Sequence, residues 1–187
     1  WNKNTLIAWA KRITAQGDDA DAVMRDAGDI GTLTHLMIQG YLEGFTVDTR
    51  DFTPNQEQQA LKAFVGFRNW FDKANFKVLA SEFALVNEEL RVGGTVDCLG
   101  KIDDELVIVD WKTSKGGPYP EMMIQLGAYT LMYEAAQPKA DVKYGVIMRF
   151  GKEDGKFHKH VISRDKLDAG AQAFRHLCAL YNLRRKF

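Results

Sequence analysis

The apolar run Leu106-Val107-Ile108-Val109 stops at Asp110-Trp111-Lys112, and this junction constrains the chain more than any other stretch. Four consecutive branched apolar residues describe a strand buried on both faces, the central strand of a sheet covered by helices. Upstream, Thr95-Val96-Asp97-Cys98-Leu99 alternates, and the intervening Gly100-Lys101-Ile102-Asp103-Asp104-Glu105 is turn chemistry. The two runs therefore read as a β-hairpin that brings Asp97 and Asp110 together, although thirteen positions separate them. Lys112, two residues past Asp110, projects from the same side of an extended chain.

An ionised aspartate beside buried Val and Ile is costly, and a second carboxylate nearby adds like-charge repulsion. A divalent cation relieves both. Carboxylate oxygens with room left for water suit Mg²⁺ or Mn²⁺, and a lysine within reach of the bound water suits phosphodiester hydrolysis. The plain alternative is that Asp110 caps the next segment, Asp97 pairs with Arg91 or Lys101, and Lys112 is a solvated surface residue. Residue by residue the alternative is the better reading, and only the company these residues keep favours the metal site.

The 187 residues, 45% hydrophobic and 27% charged, suffice for one domain with a substantial core. Twenty-five basic residues balance 25 acidic ones, so no overall field attracts nucleic acid, and any basic groove must be local. Cys98 and Cys178 have no CxxC or Cys/His spacing, which argues against zinc, an iron–sulphur cluster or a disulfide framework and fits an intracellular setting. No apolar run has the length of a membrane span, and no signal-peptide pattern opens the chain. The first residue is Trp1 rather than a methionine, and the residues directly after it already have a helical pattern, so a preceding segment is expected.

Along the chain, Leu6, Ile7, Trp9, Ala10 and Ile13 give residues 3–15 a helical face that ends at Gly17-Asp18-Asp19. The spacing predicts a short helix over 20–25, a break at Gly28-Asp29, and another helix from Ile30 to Leu42 closed by Gly44. Thr53-Pro54-Asn55-Gln56 is an N-cap with proline in the first turn, opening a helix to about Lys73 whose stripe includes Leu61, Phe64, Val65, Phe67, Trp70 and Phe71. Strands are predicted over 76–86, 90–99 and 106–111, with a turn at Asn87-Glu88-Glu89. A loop from Thr113 to Pro118 precedes a helix over 120–136. A hairpin of 144–150 and 157–163 comes next, and a last helix capped by Ser163 or Asp165 runs to about Leu183. The expectation is one α/β domain, 1–187: a helical region over 1–75, then a core over 76–187 built on a mixed sheet flanked by helices.

Other candidates are less distinctive alone. Glu82, amid Leu79, Phe83 and Leu85, is out of pattern for a core-facing strand, yet solvent-facing alternation explains it equally well. His35 rides on an amphipathic helix, and Gln125 and Tyr129, four apart, share a helical face.

Taken in order, Gly31-Thr32…His35, Glu82, Gly94-Thr95-Val96-Asp97, Asp110-Trp111-Lys112-Thr113-Ser114-Lys115 and Gln125-Leu126-Gly127-Ala128-Tyr129 resemble the RecB-type branch of the PD-(D/E)xK nuclease superfamily. The likeness runs from about residue 30 to residue 133, and a lone DxK would carry little without the other elements. It implies a restriction-endonuclease-like core and Mg²⁺ or Mn²⁺ held by His35, Asp97, Asp110 and the backbone carbonyl of Trp111. Glu82 would serve a second ion or, through water, the first. Lys112 would orient the attacking water, with Gln125 and Tyr129 at the edge of the site. The implied activity is that of a DNA exonuclease on single strands or ends. Lacking a cluster's cysteines, the chain is closer to phage-type or mitochondrial-type single-strand exonucleases. Lys115, in the glycine-bordered loop after the motif, is the first choice for substrate contact. Arg149, Lys152, Lys156, Lys159 and the tail Arg184-Arg185-Lys186 are further choices, with Trp111 or Tyr119 as stacking surfaces. A nuclease fold kept only as a binding or interaction module is the competing expectation.

Overall fold

The computed structural model describes residues 3–184 and 186. In chain order the elements are α1 (Lys3–Ala15), α2 (Ala20–Glu43), α3 (Pro54–Phe71), β1 (Phe76–Asn87), β2 (Val92–Ile102), β3 (Glu105–Lys112), α4 (Pro120–Ala136), β4 (Tyr144–Phe150), β5 (Phe157–Ser163) and α5 (Arg164–Arg184). The five strands lie in sequence order, antiparallel except where β3 pairs with β4. That parallel step needs a crossover, which α4 supplies. The expected mixed sheet between helices, with β3 at its centre, is the fold observed.

Alternation along β3 divides the core. Val107, Val109 and Trp111 join Phe67, Phe150 and Met148 in a cluster under α3, whereas Ile108 joins Leu126, Ile147 and Leu167 under α4 and α5. Phe67 packs its ring against Tyr41, Phe71, Trp111 and Phe150 at centroid separations of 5.3 to 6.2 Å, so α2, α3 and the end of β3 share one aromatic anchor. The capping box of α3 forms as expected, Thr53 N–H donating to Gln56 Oε1 (2.8 Å) and Gln56 N–H to Thr53 Oγ1 (3.3 Å). Gln56 Nε2 also donates to Asp26 (2.9 Å) and Asp29 (3.2 Å), tying the start of α3 to α2.

Four local expectations are corrected. The predicted break at Gly28-Asp29 is absent, because α2 runs unbroken from Ala20 to Glu43; packing of Ile30, Leu33 and Ile38 outweighs the roughly 1 kcal/mol that a helical glycine costs. The turn predicted over 100–105 shrinks to Asp103-Asp104, both at positive φ (50° and 65°), as a two-residue hairpin requires. Strand β2 accordingly extends to Ile102, and it begins at Val92 rather than Leu90. Leu61 and Val65, assigned to the buried stripe of α3, are about half exposed, as are Leu6 and Ile7 on α1. Arg185, a candidate for substrate contact, lies outside the described residues, as does Trp1.

Helices α4 and α5 cross at glycines. A Cβ on Gly127 would come within 2.5 Å of the Leu167 carbonyl, and one on Gly170 within 2.5 Å of the Met123 carbonyl. Gly127→Ala should therefore destabilise the domain by about 2 kcal/mol or more. Gly28→Ala, whose Cβ would meet nothing within 4 Å, should stabilise it by about 1 kcal/mol. Thermal unfolding of the two variants should show shifts of opposite sign.

Candidate active site

The site forms around the peptide units of Trp111. Its indole is 1% exposed in the aromatic core, so the residues before and after it, Asp110 and Lys112, point to the other side of the sheet. Trp111 N–H donates to Asp97 Oδ2 (2.7 Å), just past the last β2–β3 pair, Cys98 with Val109. On the carbonyl side, His35 Nε2 lies 3.0 Å from Trp111 O. A carbonyl only accepts, so Nε2 carries the proton.

That contact fixes what the other ring nitrogen can be. His35 Nδ1 faces Glu82 Oε1 at 3.4 Å and Asp97 Oδ1 at 3.7 Å. Nδ1 is therefore either protonated, completing an ion pair, or a bare lone pair presented beside two carboxylates. His35, Glu82 and Asp97 offer one ligand atom each within 4.8 Å of one another, the arrangement a metal ion takes up in place of the proton. Glu82 reaches this position through two irregularities in β1: a register shift between Val78 and Ala80, and a φ of +44° at Glu82 itself. Left-handed backbone at a non-glycine residue costs about 1–3 kcal/mol.

Asp110 stands beside this group. Its Oδ1 accepts from Lys112 Nζ (2.6 Å) in an ion pair whose carboxylate is 1% exposed. Its Oδ2 is buried with no hydrogen-bond partner among the described residues; Glu82 Oε1 is buried too, with only the 3.4 Å approach of His35 Nδ1. Lys112 Nζ also lies 3.5 Å from Gln125 Oε1, and Gln125 Nε2 donates to the Tyr129 hydroxyl (3.2 Å). Gly94 lets Tyr129 close over β2, since a Cβ there would sit 3.0 Å from the ring. Asp110, Lys112, Gln125 and Tyr129 thus form one polar chain from β3 to α4.

Burial dominates the titration of these groups. It pushes Asp97 up to about 7, with the neighbouring Asp110 charge adding to the rise and His35, Lys112 and the Trp111 N–H opposing it. Burial also raises Asp110, against the pull of Lys112, and raises Tyr129. For His35 burial acts downward, but Glu82 and Asp97 together hold it above its ordinary value.

Residues 42–186 match the PD-(D/E)XK nuclease superfamily. The chain belongs to that superfamily. Within this nuclease domain Glu82, Asp97, Asp110, Trp111, Lys112, Lys115, Gln125 and Tyr129 all lie in the matched segment, and His35 precedes it. No curated protein matches the sequence. A solved structure described as "Crystal structure of SSO0001" is 12% identical, with 81% of this chain and 74% of that one covered and a TM-score of 0.38.

Lys115 Nζ pairs with Glu153 (2.7 Å) and Lys156 Nζ with Asp154 (3.2 Å). Trp111 is no stacking surface, because the core encloses its indole, whereas Tyr119 is 42% exposed. Arg149 holds the loop after β3, Nη1 donating to the carbonyls of Ser114 (3.3 Å) and Lys115 (2.6 Å). His160 has no distinguishing signal in the sequence, although its register beside Ile147 and Asp110 places it on the same face of the sheet.

The site makes metal-free folding favour acid. The folded Asp97 keeps a proton that an unfolded aspartate releases near pH 4, so stability declines as pH rises toward 7. The His35 contribution is complete below its ordinary 6.5 and is lost as pH passes its raised folded value. In EDTA the melting temperature should fall by several degrees between about pH 5 and pH 8, and Asp97→Asn should flatten the profile. Saturating Mn²⁺ should raise it more at the higher pH.

Proposed function

We propose that the domain is a metal-dependent DNA nuclease of RecB type that hydrolyses phosphodiester bonds on single strands or at free ends. The observation that carries this reading is the Asp110–Lys112 ion pair set beside His35, Glu82 and Asp97 around one Trp111. The donor set fits a hard divalent cation: carboxylates with an imidazole suit Mn²⁺ at least as well as Mg²⁺, and the buried Asp110 Oδ2 has no hydrogen-bond partner among the described residues. Asp97, Glu82 and His35 would hold the ion, with Asp110 and the Trp111 carbonyl at its edge. When bound, the ion supplies a water of lowered pKa and neutralises phosphate oxygens.

The protein's own groups divide the remaining work. Asp110 and Gln125 hold the Lys112 ammonium in place, where it orients the attacking water and offsets charge building on the phosphate. Tyr129, through Gln125, fixes the far end of that chain and faces the substrate. The His35–Trp111 hydrogen bond orients the imidazole toward the acids, a positioning contact of the kind metal sites depend on. A pure binding module has no use for buried carboxylates beside phosphate, and this favours the enzyme over the silent fold. No helix among the described residues is long and apolar enough to cross a membrane.

Purified protein with Mg²⁺ or Mn²⁺ should degrade labelled DNA and stop in EDTA. Lys112→Ala and Asp110→Asn should lower kcat by about two to four orders of magnitude while DNA binding persists. His35→Ala should raise the Mn²⁺ concentration needed for half-maximal rate by at least about tenfold. Intact single- and double-stranded DNA, with and without free ends, after incubation with metal-loaded protein would rule the reading out. Matched RNA strands test the choice of nucleic acid.

A further inference from the structure

The face of the sheet that carries Asp110 and Lys112 continues onto β4 and β5. Asp110, Ile147 and His160 stand in one cross-strand row, and Lys112, Arg149 and His158 in the next. Lys112, Arg149 and His160 line a narrow cleft together with the apolar Pro118, Met122 and Ile147; it is too tight as it stands to admit a water, and no acidic side chain lies in its wall among the described residues.

The intramolecular contacts of Arg149 leave its charge uncompensated. Nη1 holds the two loop carbonyls, but no carboxylate pairs with the guanidinium among the described residues, and Nε is buried without a partner. His160 Nε2 is likewise buried and unpaired. Two unsatisfied nitrogens on adjacent strands are each expensive, and a cation without a counter-charge adds to that. A small oxyanion with several acceptor oxygens satisfies all of them together, with Arg149 and His160 donating. Strands are about 5 Å apart, so the cleft lies one to two strands from Asp110 and Lys112. A phosphate neighbouring one held at Asp110 and Lys112 falls within this reach.

We propose that Arg149 and His160 form a subsite for the phosphate next to the one that is cut, with Lys112 between the two positions. The subsite deepens the nuclease reading and rests on it. The cleft is pinched, so its walls, Gly116 and Gly117 among them, must give way to seat the phosphate. The ligand chemistry is that of a phosphate oxyanion, either an internal diester or a terminal monoester.

The test is a binding cycle on the full chain with Ca²⁺ in place of Mg²⁺, so that the strand is held uncut. Short single-stranded oligonucleotides carry one neutral methylphosphonate at successive linkages, and a second set carries phosphate or hydroxyl at either end. For the wild type, removing charge at one position should weaken binding about tenfold or more. In Arg149→Gln and in His160→Gln that penalty should shrink to about threefold or less, the signature of direct coupling. His160→Gln guards against a loosened loop, since His160 holds neither Ser114 nor Lys115. A penalty confined to an internal linkage assigns the diester, one confined to an end assigns the monoester, and either supports the subsite. A penalty of the same size in wild type and both variants, or no charge-sensitive position in the wild type, overturns it while leaving the nuclease reading intact. A wild type that neither binds nor cuts any of the strands removes both.

Discussion

The fixed orientation of Trp111 is the constraint on which the rest of the site depends. Its indole is locked into the core by Phe67, Trp70 and Phe150, its N–H is held by Asp97, and its carbonyl is held by His35. A strand residue immobilised on one face of a sheet dictates where its two neighbours point on the other. Asp110 and Lys112 are therefore aimed by hydrophobic packing on the opposite side of the sheet, and the apolar core and the polar site are one structure seen from two faces.

Electrostatics then explains why so many charges tolerate each other there. Asp97 and Asp110 each gain from a cationic neighbour, His35 in one case and Lys112 in the other, and each is still pushed toward the protonated form by burial. The compensation is partial: Asp110 Oδ2 is buried without a hydrogen-bond partner among the described residues, and Glu82, whose Oε1 faces His35, is held in strained backbone to take part. Such unrelieved terms, placed together rather than scattered, are characteristic of a site that completes itself with something from solution.

The helical layers have separate duties. Helix α2 brings His35 from one side, and its continuity matters because a break at Gly28 would uncouple His35 from Asp26, leaving only Asp29 of the two carboxylates that Gln56 anchors. Helix α4 brings Gln125 and Tyr129 from the other, and the close crossing at Gly127 and Gly170 sets how near α5 holds it. The bidentate Arg164–Glu134 pair (2.6 and 3.0 Å), with Arg164 also donating to the Val142 carbonyl (2.9 Å), fastens the same two helices to the approach of β4.

Short-range patterns carried much of this. The apolar run at 106–109 named the central strand and Thr53 to Gln56 named a helix start, because each is set by neighbours along the chain; the DWK string with its upstream aspartate picked out side chains that the β2–β3 hairpin does bring close. Tertiary structure decided what periodicity left open. A register shift at Leu79 and a positive φ at Glu82 interrupt alternation, so no count of every second residue could orient that carboxylate. Packing carried α2 through Gly28, and among the described residues nothing fully covers Leu61 and Val65, which stay about half exposed despite their place in the stripe. The division of partners, Lys112 to Asp110 and His35 to Glu82 and Asp97, was also beyond the sequence, since it depends on how strands and helices far apart in the chain are brought within a few ångströms.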